Sequence, residues 1–265
     1  MLPVAASLLY SIRYSLGLTG LLSDGFTFHH WSATISEGYL FQSILYSFYI
    51  AVVSIIMSVT IALLIAWRYQ KALQSNAIAW LLFLPLAIPA VVAAFFSYQM
   101  LSPSGVLSRI AALFHWIDAP SQFPNLINDS PAFGIIITHI ILAVPYFVIL
   151  FRNIIREERV AELMDVAANL GADTSIHIRK ILIPLVVKKA AASIFMFSIF
   201  IAGSYEIPLL LGASDKRMLS PLIADKMFKF DLGDKPEAHV MLVVYVVFIL
   251  VINLVMFRKV NRYAA

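Results

Sequence analysis

Three ionisable side chains lie inside long apolar stretches of this sequence: Arg13, His139 and Glu206. A charged group in such surroundings is costly unless it faces a cavity or a partner of opposite charge. Glu206 lies between Gly203 and Pro208, which predict an irregular helix at this point. Its carboxylate either contacts a cationic or hydroxylated solute, or lies near the end of the segment and reaches water or a loop lysine. The sequence leaves both interpretations open.

Two further polar residues, Ser204 and Tyr205, directly precede Glu206. A single histidine inside a helix is more often a hydrogen-bonded packing residue than a ligand. An arginine there can snorkel to the membrane surface or pair with a carboxylate, and Glu206 is the natural partner for Arg13. The candidate residues of a translocation path are therefore Arg13, His139, Ser204, Tyr205 and Glu206. If they relay protons or ions, the chain is an ion-gradient-driven carrier or a channel.

No catalytic signature accompanies these residues. The sequence has no Gly-x4-Gly-Lys-Ser/Thr phosphate loop and no HExxH, GxSxG or paired-carboxylate catalytic signature. His29 and His30 lack a third ligand at helical spacing, and the absence of cysteine excludes a thiolate metal site. We therefore expect no enzyme activity and no metal or cofactor bound by this chain. A membrane-embedded enzyme is the most remote interpretation.

The elements that must position the candidate residues are membrane spans. Of the 265 residues 61% are hydrophobic, which is far too apolar for a soluble domain and enough for six spans of about 20 residues each. The net charge of +4 comes from basic residues beside apolar runs, so we expect no nucleic-acid binding. We predict an all-α, polytopic helical bundle that forms one domain over residues 1–265, with spans at 1–22, 41–67, 77–100, 134–151, 190–211 and 238–257.

The distribution of lysine and arginine predicts how this bundle is oriented. Twelve of the 19 basic residues lie in the loops and tail on one side, and six lie on the other, where five acids offset them. Basic residues accumulate in cytoplasmic loops. This places the loop 152–189 and the C-terminus in the cytoplasm. The N-terminus is then also cytoplasmic, since six spans return the chain to the side where it began.

The loop 152–189 contains an unusually polar segment, 160–184, that reads as two short helices. Apolar residues recur at i, i+3, i+4 and i+7, opposite two acids and an amide. Gly171 is expected to end the first helix, Asp173 to cap a second that runs toward Ile181, and Pro184 to mark the next span. The apolar set is Leu163, Val166, Ala167 and Leu170, and the opposite set is Glu162, Asp165 and Asn169.

This acidic polar face bears on what the first helix binds. Helices that lie on a membrane surface usually present lysine and arginine, and an anionic leaflet would repel this one. A helix that docks into a protein groove fits better, with the apolar residues as anchors and the acids meeting basic residues at the rim. The candidate anchors are Leu163, Val166 and Leu170.

The same segment resembles the EAA loop of the permease subunits of ABC importers. That pattern has an acid and two alanines, a glycine six positions after the acid, and an isoleucine, a leucine and a proline ten, twelve and thirteen positions after the glycine. Val166 stands for the first alanine and Ile183 for the leucine. The positions that match in type or charge are Asp165, Ala167, Gly171, Ile181 and Pro184.

The resemblance implies a type I, MetI-like permease in the bacterial inner membrane. In this family the loop is the coupling helix, which seats in a groove of a cytoplasmic ATPase subunit. ATP and Mg²⁺ would therefore be bound by two partner ATPase subunits and not by this chain. The residues carried over as contacts for ATPase coupling are Glu162, Leu163, Asp165, Val166, Ala167, Leu170, Gly171, Ile181 and Pro184.

Further partners follow from the same resemblance. A single bundle makes half of a path, so a second permease chain is required, and a heterodimer is favoured slightly over a homodimer. An external solute-binding protein would deliver a small solute to the outside loops. Membrane lipid would surround the bundle. The stretch from Gly203 to Gly212 resembles the polyamine, ferric-ion and sulfate-type branch of the family.

Overall fold

The computed structural model describes residues 2–262 except 21, 22, 24, 71, 172, 174 and 175, and this part of the chain contains helices and connections but no strand. The predicted all-α fold is confirmed. The α-helices of the described residues are α1 Leu2–Ser15, α2 His29–Ser36, α3 Tyr39–Arg68, α4 Asn76–Phe83, α5 Ala90–Leu101, α6 Val106–Leu113, α7 Phe133–Glu157, α8 Val160–Asn169, α9 Ile183–Ala202, α10 Glu206–Leu211, α11 Leu219–Phe228 and α12 Asp234–Arg262.

Four helical segments of the described residues are long and apolar enough to cross a membrane, by length and composition: Tyr39–Arg68, Ala90–Leu113, Phe133–Glu157 and His177–Ala202. The first and third are α3 and α7, which contain the predicted spans 41–67 and 134–151. At 1.5 Å per residue, the 30 residues of α3 extend about 45 Å, more than the roughly 30 Å of a hydrocarbon core. The expected count of six is thus not reproduced in the described part.

The predicted span 77–100 is broken in the structure. Helix α4 ends at Phe83, a 3₁₀ turn covers Pro85–Ala87, and α5 begins only at Ala90. Ile88 is extended because the ring of the following Pro89 disfavours a helical conformation in the residue before it. The long apolar stretch here starts at Ala90 and includes α6, although the chain bends at 102–105 between α5 and α6.

The predicted span 190–211 is also divided. Helix α9 ends at Ala202, residues 203–205 leave the helical conformation, and α10 follows. Pro208 has no N–H to donate to the carbonyl four residues earlier, so a continuous helix would lose a hydrogen bond at this point. The helix also begins earlier than expected, because a π-helical turn at His177–Leu182 leads directly into α9.

The first and last predicted spans differ in how far they extend. Helix α1 has 14 residues, about 21 Å, which is too short to cross the hydrocarbon core unaided. Residues 1, 21 and 22 of the predicted span 1–22 lie outside the described residues. Helix α12 has 29 residues and contains the predicted span 238–257.

The contacts divide the chain into two compact units. Unit 1 comprises residues 1–48 and 214–265, and unit 2 comprises residues 49–213. In unit 1, α1, α2 and α11 pack against α12. Leu40, Leu219 and Met241 form its buried cluster, and the Ser47 hydroxyl accepts the Leu219 N–H at 2.9 Å. One permease domain over 1–265 stays a prediction.

Unit 2 is built around α7. Helices α5, α9 and α10 each contact α7, and α10 also packs along α5. Phe147 and Phe151 are fully buried, and Tyr146 stacks on Phe197 of α9 with ring centroids 4.5 Å apart. The Tyr146 and Ser193 hydroxyls are 3.3 Å apart, which adds a polar contact between α7 and α9. This aromatic packing fixes α9 against α7.

Candidate functional site

Helix α8 forms the first half of the predicted two-helix segment. It begins after Arg159, whose backbone is left-handed at φ 47°, and it ends before Gly171, which is left-handed at φ 86°. Nothing lies within 4 Å of a Cβ placed on Gly171, so backbone conformation and not space favours glycine here. The glycine stop therefore lies where the sequence predicts it.

The side chains of α8 divide into an anchoring face and an open face. Val160 and Met164 are buried in unit 2 and fix the helix to its own unit. Leu163, Val166 and Leu170 are exposed, and Leu170 has 83% of its surface accessible. The anchoring pair was missed in the sequence, although apolar residues at i and i+4 were a usable signal.

The acids of α8 lie beside this open apolar stripe. Glu162 and Asp165 are both exposed, and Glu162 is 3.6 Å from Arg159 in a solvent-exposed ion pair. Ala167 is half-buried. The open surface of α8 thus combines large apolar side chains with carboxylates.

The second half of the segment is capped as predicted but continues further. The Asp173 carboxylate accepts the Ile176 N–H at 2.8 Å, and the Asp173 carbonyl accepts the His177 N–H at 3.1 Å. The π-helical turn then runs into α9, with Pro184 in the first turn of α9. The predicted second helix does not end near Ile181, because the π-helical turn continues directly into α9. Ile181 is half-buried within that turn.

Two contacts hold the ends of the segment together. Helix α8 packs against the π-helical turn, and Lys189 of α9 pairs with Glu158 at the end of α7 at 2.7 Å. The loop 152–189 is therefore a folded elbow. Val160 and Met164 are buried within it, and the opposite surface of α8 is exposed.

The candidate path residues of unit 2 meet at the break between α9 and α10. His139 Nε2 lies 3.2 Å from the Ser204 hydroxyl, and both residues are buried, His139 with only 2% of its surface accessible. Tyr205 is half-buried, and Glu206 is exposed as the first residue of α10. A carboxylate there interacts favourably with the positive end of the helix dipole. Arg13 is exposed in α1 and belongs to unit 1.

Unit 1 contains a charged site that the sequence did not indicate. The Lys226 ammonium is 3.5 Å from Glu37 and 3.5 Å from Asp234, and it also pairs with Glu237. Only 8% of the Lys226 side chain is accessible. Burial by itself lowers the pKa of Lys226, but the hydrogen bond to Glu237 and the charges of all three acids raise the pKa above its ordinary value. Glu37 is distant in sequence, so no local pattern could predict the cluster.

The surrounding cavity of unit 1 is polar and has a volume of about 460 Å³. Arg217 and Lys229 both approach Asp225 at its edge, at 3.1 and 3.7 Å. No group of three or more possible metal ligands occurs among the residues that the structure describes. The cavity is therefore an ion-paired cleft whose charges are largely satisfied internally.

The open α8 surface, the elbow and the broken helix all lie within unit 2. The chain belongs to the family of binding-protein-dependent transport system inner membrane components, whose model matches residues 58–263. It is a MetI-like ABC importer permease, and the resemblance drawn from the polar segment is confirmed.

The comparison of structures agrees on the fold. One similar solved structure is described as the crystal structure of a bacterial alginate ABC transporter in complex with an alginate pentasaccharide-bound periplasmic protein. The two chains share 18% sequence identity at a TM-score of 0.67, with 98% of this chain and 93% of that chain covered. No curated protein matches the sequence.

Proposed function

We propose that this permease couples ATP hydrolysis on separate cytoplasmic subunits to solute import by alternating access. The observation that carries the proposal is the open surface of α8, where Leu163, Val166 and Leu170 are exposed while Val160 and Met164 hold the helix in place. An exposed apolar stripe of this kind loses water when it enters a groove on a partner. A rigidly attached α8 would transmit the partner's movement to α7 and α9.

The proposed assembly contains two ATPase subunits, this chain, a second permease chain and an external solute-binding protein. The heterodimer remains the favoured arrangement for the two permeases. ATP and Mg²⁺ would bind on the ATPase subunits, which accords with the lack of a phosphate loop in this sequence. The excess of basic residues around loop 152–189 supports placing α8 and both termini in the cytoplasm.

The proposed cargo is a small solute delivered by the binding protein. The stretch from Gly203 to Gly212 favours the polyamine, ferric-ion or sulfate-type branch, whereas the solved neighbour is described with alginate. At 18% identity that neighbour supports the fold and not the cargo. Binding assays of the partner solute-binding protein with a polyamine, ferric ion, sulfate and an alginate oligosaccharide would decide between these classes.

The coupling proposal is tested by placing a charge on the open surface of α8. Leu170→Asp should abolish co-purification of the ATPase subunits and solute-dependent ATP hydrolysis, while the chain stays folded because Leu170 makes little internal contact. Phe228→Asp, at another exposed apolar residue in α11, is the matched control and should leave co-purification unchanged. Uptake by this chain alone, driven by an ion gradient and insensitive to Leu170→Asp, would contradict the proposal and support a secondary carrier.

A further inference from the structure

A second cavity, of about 510 Å³, lies in unit 2 where α7 meets α8. Three arginines line it, Arg152, Arg156 and Arg159, together with Gln70 and one acid, Glu162. Arg152 and Arg156 are at i and i+4 of α7, so that helix presents them on one side, and Arg159 directly precedes α8. Three guanidinium groups against one carboxylate give the lining a formal charge of +2.

The positive charge of this arginine cavity is not neutralised within the unit. Glu162 pairs with Arg159 at 3.6 Å, and the nearby Glu158 is occupied by Lys189 at 2.7 Å. Neither the Arg152 nor the Arg156 guanidinium has a hydrogen bond or an ion pair with any residue that the structure describes. Two guanidinium groups that line a cavity without an acid partner favour an external anion, and guanidinium matches the geometry of phosphate particularly well.

The position of the cavity indicates the source of that anion. Arg152 is half-buried and lies five residues before the end of α7, which corresponds to about 8 Å along the helix toward the apolar part of the chain. The last turn of α3 contains the half-buried Trp67, and the exposed Tyr69 and then Gln70 follow this helix. Amphipathic aromatic side chains of this kind concentrate at the level of lipid headgroups.

We propose that the arginine cavity binds the phosphate group of an anionic ligand, with the headgroup of a membrane phospholipid as its source. Basic pockets between membrane helices on the cytoplasmic side are suited to acidic headgroups. Because Glu162 of α8 lines the same cavity, a bound headgroup lies directly beside the proposed coupling surface. The assignment to the cytoplasmic leaflet rests on the proposed orientation, whereas the phosphate chemistry does not.

The test measures lipid retention by native mass spectrometry on the full chain, purified with the subunits that it assembles with. The probes are phosphatidylglycerol, phosphatidylcholine and inorganic phosphate. Removing two charge-assisted contacts in Arg152→Gln/Arg156→Gln should weaken phosphatidylglycerol binding by at least about tenfold. Arg152→Lys/Arg156→Lys keeps the two positive charges and should retain part of the phosphatidylglycerol binding. This variant therefore distinguishes a loss of charge from a loss of folding. Arg217→Gln/Lys229→Gln removes the same charge from unit 1 and should have no effect.

The other outcomes show which ligand the arginine cavity binds, or overturn the proposal. Displacement of the lipid by inorganic phosphate, but not by phosphatidylcholine, would assign the cavity to free phosphate, and no displacement by phosphate would assign it to lipid. Unchanged phosphatidylglycerol binding in the glutamine variant would overturn the proposal. Loss of ATPase co-purification with lipid binding unchanged would instead assign the arginines to the partner protein. Lipid retention is measured without ATP turnover, so its failure is distinct from a failure of the coupling proposal.

Discussion

The His139 ring of α7 and the Ser204 hydroxyl at the end of α9 are hydrogen-bonded at 3.2 Å inside unit 2. This bond lies where α9 ends and α10 begins, and it joins the break between them to α7. We predict that His139 has a positioning role at the broken helix, beside the exposed Glu206.

Removing this bond should destabilise unit 2. Ser204→Ala leaves the buried His139 nitrogen without its partner, and we expect a loss of about 1 kcal/mol, in the range found for hydrogen bonds between membrane helices. Thermal unfolding in detergent measures the change. Ser198→Ala in α9 is the control, because the Ser198 hydroxyl donates to the carbonyl of Ile194 one turn earlier in the same helix. Equal melting temperatures for the two variants would remove the positioning role.

Substitutions of Gly171 should change the stability of the chain only through the backbone conformation at this residue. Gly171→Ala places a side chain at φ 86° in open space, so we expect a loss of about 1 kcal/mol from the unfavourable left-handed backbone. Gly171→Asn should cost less and Gly171→Val more, because asparagine tolerates this conformation and β-branched residues do not. Stability and solute-dependent ATP hydrolysis are measured together. If valine were as well tolerated as asparagine, the glycine stop would not explain the end of α8.

The Lys226 cluster should be a stability element of unit 1. Lys226→Met leaves Glu37, Asp234 and Glu237 close together without their cation, and we expect a loss of about 2 kcal/mol, reduced from the fully buried case because the acids are partly exposed. Lys229→Met, at a half-exposed lysine, should cost less than about 1 kcal/mol. Chemical denaturation of both variants gives the comparison.

The pH dependence of this cluster follows from the direction of the pKa shift. Because the pKa of Lys226 is raised in the folded chain, the stabilisation is fully present below the ordinary lysine value of 10.5. It is lost as the pH rises through the raised value. The difference in unfolding free energy between the wild type and Lys226→Met should therefore stay large in neutral solution and shrink in strong alkali. A difference that grows in alkali would contradict the assignment of the ammonium as the stabilising charge.

The proposed orientation can be tested by labelling, since the sequence contains no cysteine and single cysteines carry no background. Leu170→Cys in α8 and Phe230→Cys after α11 both place a thiol at an exposed position. A membrane-impermeant maleimide should label Phe230→Cys in intact cells and Leu170→Cys only after permeabilisation. The opposite pattern would place α8 outside the cell and remove its role in ATPase coupling.

The sequence by itself determined the class of this protein, because the relevant signals are local. Membrane-length apolar runs, the glycine that ends α8 and the acidic face of that helix depend on composition and on spacing within a few turns. The family assignment drawn from Asp165, Ala167, Gly171, Ile181 and Pro184 is confirmed by the match over residues 58–263. Proline positions likewise predicted irregular spans, although not where the helices would end.

Only the tertiary structure decided which side chains meet. The Lys226 cluster joins residues 189 positions apart, and the His139 bond joins residues 65 positions apart. The anchoring of α8 through Val160 and Met164, and the three arginines around one cavity, equally depend on how α7, α8 and the end of α3 pack. Periodicity shows which residues share a helix face. It cannot show which face the rest of the chain covers, because that depends on contacts between distant segments.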